Sequence, residues 1–259
     1  MNEQLLPLLL EHTAGKRSNE ILKNITEQDQ NNQQLSIRLV QDQLQLFDEA
    51  MQLQLDALAF AAEYVTQWSE ADQVIVAMAC RAFNHLKSAA YLLLMGYWAE
   101  CWPLMRGAFE AMTREIVFFR HPDRVSRWLK GQQAGQVAQS EVSEAIKSIY
   151  GEETFNAHKG FYKLLCKHVH PNREAIELAT WNGTEGIGRR SILGGCIHIN
   201  EFPFRFHTVL LMSLQATKAL GLVGLHEATD TWKQQSEKLE KDVYAIADKL
   251  KRVSSANIK

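Results

Sequence analysis

"YLLLMGYWAECWPLMRGAFEAMTREIVFFR", residues 91–120, decides the fold. Leucines and aromatic residues crowd both sides of Gly96, and a glycine between two apolar helical runs reads as a tight helical hairpin. One helix is expected from about Ala71 to Met95, and a second from about Trp98 to Arg120. Ser69 stands ready as the first helix's N-cap, with Asp72 at the capping-box position. Pro103 falls early in the second helix, where a missing amide donor costs least. Within that helix Arg106, Glu110 and Arg114 follow at four-residue intervals, a charged ladder on one face of the most apolar region of the chain.

The hairpin has a geometric consequence. Residues equally far from Gly96 face one another, so Arg81 belongs at the level of Ala111 and His85 at that of Gly107. Arg81 and His85 should therefore cluster near Arg106 and Glu110, roughly 15–22 Å from the turn at about 1.5 Å of rise per residue. A buried charge is expensive unless paired, so Arg106 and Glu110 are expected to satisfy one another. Two readings stay open: an ionic network that fixes helix register, or a polar pocket of the kind that helical bundles use for ligands.

Working outward, residues 1–32 read as a helical or irregular segment ahead of a single helical domain, 33–259. A long helix over 33–68 is expected from Val40, Leu44, Phe47, Met51, Leu55, Leu58, Ala62 and Val65. Its opposite face is rich in Gln and Asp. Beyond the hairpin, "HPDR" ends the second helix, and helices follow at about 125–133, 139–149, 154–169 and 172–180. Residues 181–203 hold five of the fourteen glycines and read as an irregular loop with room for a short hairpin. They match no phosphate-binding fingerprint. Helices at about 204–222 and 226–253 close the chain. The last carries a seven-residue stripe through Leu225, Trp232, Leu239, Val243, Ile246, Leu250 and Val253, suited to a bundle edge or a dimer seam. The expected class is an all-α antiparallel helical bundle.

With 259 residues, 46% of them apolar, the chain can bury a large core. A net charge of −2 carries no gross basic excess, so a nucleic-acid partner would need a local patch. Cys80, Cys101, Cys166 and Cys196 show no CxxC pairing and read as reduced structural thiols. The apolar run near the N-terminus is too short for a signal segment. Arg81, His85 and Lys87 interrupt the richest apolar span, 73–98, which argues against a membrane helix. A soluble cytoplasmic protein without a cofactor is expected.

His168 and His170 stand at a helix end just ahead of Pro171. Two residues apart, they cannot share one face of a continuous helix, and metal binding by the pair would need further ligands. One of them turned towards the Arg–Glu cluster would be suited to proton transfer. Arg114, Arg120, Arg124 and Arg127 lie within fourteen residues, either a nucleic-acid contact or a solvated helix end.

The run "YLLLMGYWAECWPLMRGAFEA", 91–111, followed by "YKLLCKHVHP", 162–171, resembles a group of mainly bacterial helical proteins. These carry a small-residue turn, an Arg-x-x-x-Glu helix and a later Ser/Cys-x-x-x-His element, and are HEPN-like (higher eukaryotes and prokaryotes nucleotide-binding). The resemblance covers about residues 70–180. It implies a helical bundle, often a dimer, and an effector of stress or phage defence whose partner is RNA, an antitoxin or another protein. Many HEPN proteins are metal-independent RNases marked by Arg, four to six residues, then His. Arg114 and His121, with six residues between, fit that spacing; Arg81 and His85, with three, do not. Arg106, Glu110 and His170 match the helical group better than the nuclease signature. The resemblance thus marks Arg106, His170, Arg114 and His121 as catalytic candidates. Arg81, His85, Glu110 and His168 stand as binding or network residues, and Arg120, Arg124 and Arg127 as nucleic-acid contacts. The alternative is a non-catalytic helical module for a protein or small ligand, in which the Arg/Glu/His cluster is structural.

Overall fold

The computed structural model describes residues 18–63, 68–132, 137–169, 180–181, 190–191, 197, 199–223 and 230–256. They form an all-α bundle with one short β-hairpin. The helices are α1 (Ser18–Leu39), α2 (Gln41–Glu63), α3 (Glu70–Leu94), α4 (Trp98–Arg120), α5 (Val125–Leu129), α6 (Gln139–Val169), α7 (Phe202–Leu222) and α8 (Asp230–Ala256). A 3₁₀ turn at Pro122–Arg124 joins α4 to α5. No described helix is long and apolar enough to cross a membrane.

Local chemistry sets the hairpin. The Ser69 hydroxyl accepts the Asp72 N–H at 3.2 Å, and the Asp72 carboxylate accepts the Ser69 N–H at 2.9 Å, so two otherwise orphaned donors are satisfied at the start of α3. At its end Gly96 adopts φ 91°, and the N–H groups of Gly96 and Tyr97 donate back to the carbonyls of Leu93 and Leu92. This is the Schellman arrangement, which favours glycine because the left-handed backbone costs it nothing. The register follows as expected. A Cβ on Gly107 would lie 2.9 Å from His85 Nε2, so the hairpin brings these two residues to one level, in close contact.

α4 is the central element, packed against α3, α6 and α7. Its own Met105 and Phe118 are fully buried, as are Leu86 and Leu93 of α3 and Phe206, Leu210 and Leu214 of α7. α6 runs antiparallel to α4: Phe109 meets His158 and Tyr162, and Trp102 stacks on His168 with ring centroids 4.3 Å apart. α2 and α7 lie parallel, joined by Phe47 against Phe206 and by Gln54, whose amide donates to the Ser213 carbonyl at 3.1 Å and the Thr217 hydroxyl at 3.2 Å. α8 packs on both, with Trp232 Nε1 donating to the Leu53 carbonyl at 3.0 Å.

Several expected elements shift. The helix expected over 33–68 begins at Ser18 and bends at Val40, which separates α1 from α2. Hydrogen bonding continues through the bend, from Val40 N–H to Ser36 and from Leu44 N–H to Val40, while Val40 itself is buried. The Gln-rich face of α2 is not wholly solvated, since Gln43 and Gln54 are in the core. The two helices expected at 139–149 and 154–169 are both present, divided at Gly151, whose φ 84° and ψ 176° are non-helical, and α6 names the pair. α5 stops at Leu129 rather than 133, where Gly131 turns to φ 67°. Thr180–Trp181 pairs antiparallel with Arg190–Ser191, the short hairpin anticipated in the glycine-rich stretch. The helix expected at 172–180 otherwise lies outside the described residues, as does most of 181–203. On α8, Trp232, Leu239 and Val243 are buried in the bundle, while Val253 is 55% exposed and Leu225 lies outside the described residues.

Candidate functional site

The charged ladder of α4 is not buried. It occupies a half-exposed strip between α3, which touches Gly107, and α6, whose Tyr162 and Cys166 lie beside Arg106. Arg106 Nε donates to Glu110 Oε1 at 2.8 Å, and Arg114 Nη2 lies 3.6 Å from Glu110 Oε2. Their side chains are 25%, 30% and 38% exposed along Arg106, Glu110 and Arg114, so water still solvates part of every charge. Its hydrogen bond to Glu110 holds Arg106 more firmly protonated than usual. Burial and then the nearby Cys166 raise the proton affinity of the Tyr162 phenol.

Arg81 and His85 form a separate pair. Arg81 Nε donates to His85 Nε2 at 3.3 Å, a long bond that requires a neutral imidazole acceptor. Burial, and secondarily the Arg81 charge, lowers the proton affinity of His85. Among the described residues no hydrogen bond or ion pair joins Arg81 or His85 to Arg106 or Glu110. The hairpin brings the four to one level, and each pair then closes within its own helix. His168 stacks on Trp102 one turn from Arg106 along α4. His170 lies outside the described residues. No group of three or more His, Cys, Asp or Glu among the described residues gathers as a metal site.

A second constellation lies where α4 ends and α6 begins. Arg120, His121 and Arg124 line an open cleft of about 620 Å³, faced by Glu141, Glu144 and Ser148 from α6. His121 ends α4 in a non-helical conformation, φ −129° and ψ 64°, because Pro122 follows it. Arg120 donates to the Ser148 hydroxyl and forms no ion pair with a carboxylate among the described residues. Arg124 is committed to Glu141, Nη1 to Oε1 at 2.5 Å. Glu141 also accepts the Ala138 N–H at 2.7 Å, so it caps α6 while anchoring the preceding turn. That backbone bond first, and Arg124 second, hold its carboxyl below the usual range. Arg127 pairs with Asp123 at 2.8 Å and does not line the cleft.

Sequence reasoning found the α4 side of this cleft and missed the α6 side. Glu141 offered a faint signal, an acidic residue in the first turn of a helix; Glu144 and Ser148 offered none. Glu115 was missed as well. It is 1% exposed in the core, its Oε1 has no hydrogen-bond partner among the described residues, and burial raises its proton affinity well above normal. Burial therefore favours the neutral acid over the carboxylate in the folded chain.

No family model, curated protein or solved structure matches the chain.

Proposed function

We propose that the chain is a HEPN-like RNA-binding effector whose RNA contact is the cleft at the end of α4. The observation that supports this is the convergence of Arg120, His121 and Arg124 on one open cleft, with Arg120 in no ion pair among the described residues although Glu141 and Glu144 line the same cleft. A guanidinium bonded only to a hydroxyl keeps donors for a phosphate oxygen. An exposed histidine beside it is placed to accept or donate a proton. In the reaction the resemblance implies, His121 takes the proton of a ribose 2′-hydroxyl as that oxygen attacks the adjacent phosphorus. The bond from phosphorus to the 5′-oxygen breaks, the leaving oxygen gains a proton, and a 2′,3′-cyclic phosphate and a 5′-hydroxyl end result. Arg120 supports the phosphate charge that develops.

A second reading is favoured by a different observation. Arg106, Glu110 and Arg114 satisfy one another along α4, which suits a structural ladder in a non-catalytic binding module.

One experiment separates the two. Wild type and the single variants Arg106→Ala, Arg120→Ala, His121→Ala and His170→Ala are scored for growth arrest and for cleavage of single-stranded RNA in EDTA. The nuclease reading expects cyclic-phosphate ends, with at least 100-fold slower cleavage in His121→Ala and RNA affinity about 10-fold weaker in Arg120→Ala. Cleavage unchanged in both cleft variants removes this site. Absence of any RNA binding leaves the ladder as scaffold and supports the second reading.

A further inference from the structure

A cavity of about 330 Å³ lies on the other side of α4 from α3, where α6 and α7 both lean on α4 but scarcely touch each other. Its walls are mainly apolar, led by the rings of Phe109 and Phe161, which stand 6.0 Å apart at 49°. Few polar groups reach it. Thr113 donates its hydroxyl to the Glu110 carbonyl at 3.1 Å, which leaves that oxygen as an acceptor. Gln215 and the half-exposed Tyr244 stand on α7 and α8. The remaining polar wall is His158, whose ring lies 4.3 Å from that of Phe109 and whose Nε2 is shut off from solvent without a hydrogen-bond partner among the described residues.

We propose that this cavity binds a small, neutral, flat aromatic molecule carrying one N–H or O–H donor, laid against the Phe109 and Phe161 rings with its donor on the lone-pair nitrogen of the His158 imidazole. The size lies within the range of small-molecule pockets, about 300–1,000 Å³, and an apolar wall with a few polar groups is their usual composition. Flat rings suit walls made of aromatic faces. The need for a donor comes from His158 in its Nδ1–H tautomer, where Nε2 carries the lone pair: a buried acceptor without a partner costs free energy, which a ligand donor removes once the imidazole turns about its Cβ–Cγ bond. A charged ligand is disfavoured, because no wall residue carries a charge to pair with it in an apolar space. The site is independent of the RNA proposal and shares no lining residue with the cleft.

The test uses indole and benzofuran, which have nearly the same shape and differ in whether the ring carries an N–H. Titration calorimetry is run on wild type, His158→Phe and Leu211→Trp, with Gln215→Trp as a second cavity-filling variant should Leu211→Trp fail to fold, and ¹⁵N shifts of the His158 ring are followed in the proteins that keep it. Indole is expected to bind wild type at least 10-fold more tightly than benzofuran and to move the His158 resonances. His158→Phe keeps a ring against Phe109 and should abolish the preference; the filled cavity should bind neither compound. Equal affinity of the two compounds for wild type overturns the donor role. Binding that survives cavity filling overturns the site. If part of the chain itself fills the space, neither compound binds wild type, and the proposal falls.

Discussion

Glu115 is an acid in a place where water cannot reach it. The folded chain retains a proton there that the unfolded chain releases above its ordinary value of 4.5. The native state thus binds more protons than the unfolded state, and stability falls as pH rises from about 4.5 towards the raised value. Glu115→Met keeps an unbranched side chain and removes the acid. It should gain about 1–3 kcal/mol at pH 8 and far less at pH 4, read as the difference in thermal midpoint between the two conditions. An equal gain at both would mean that packing, not ionisation, governs the site. Nothing in the sequence marked Glu115, because "TREIV" offers no way to tell which of two neighbouring charges faces the core. Arg114, one residue earlier, is half-exposed and tied to Glu110.

Elements defined by local chemistry were the legible ones. Gly96, Ser69 and Asp72 state the ends of α3 within a few residues, so the hairpin and its register could be worked out from spacing. The exposure of the α4 ladder could not, because it depends on where α6 lies, and α6 is placed by ring contacts between residues 66 and 49 positions apart, Trp102 with His168 and Phe109 with His158. The α6 kink shows the same limit. Gly151 invited a break between two helices, but not the geometry that keeps both halves aligned on α4. With φ 84° and ψ 176° it occupies a region that side-chain-bearing residues rarely adopt, and no atom lies within 4 Å of where a Cβ would stand. Gly151→Ala should therefore destabilise the protein through backbone strain alone, by about 1–3 kcal/mol in urea unfolding. An unchanged or raised midpoint would mean that α6 straightens without penalty.

At the scale of the whole molecule, buried imidazoles set the response to acid. Burial lowers the proton affinity of His158, to a pKa of about 4, and of His207, where the charge of Lys251 adds to the effect. Both rings take up a proton less readily in the fold than in the unfolded chain, so stability is lost as pH falls below 6.5, for His158 down to about 4. Glu115 works in the opposite direction over part of that range. The thermal midpoint of wild type should rise between pH 4 and 6.5. The rise should steepen in Glu115→Met and flatten in the double variant His158→Phe/His207→Phe, as followed by calorimetry across the pH series. A slope indifferent to these substitutions would assign acid sensitivity to other groups.

Gln54 gives the long-range pairing of α2 with α7 a means of proofreading. Its carboxamide finds Ser213 and Thr217, 159 and 163 positions away, and these are its only hydrogen-bond partners among the described residues. A collapsed intermediate that seats α2 one turn out of place strands that amide among methyl groups, at a penalty of about 1–3 kcal/mol. Because α7 follows α2 by some 140 residues, this pairing can form only after the intervening helices have been made, which leaves the apolar face of α2 uncovered until then.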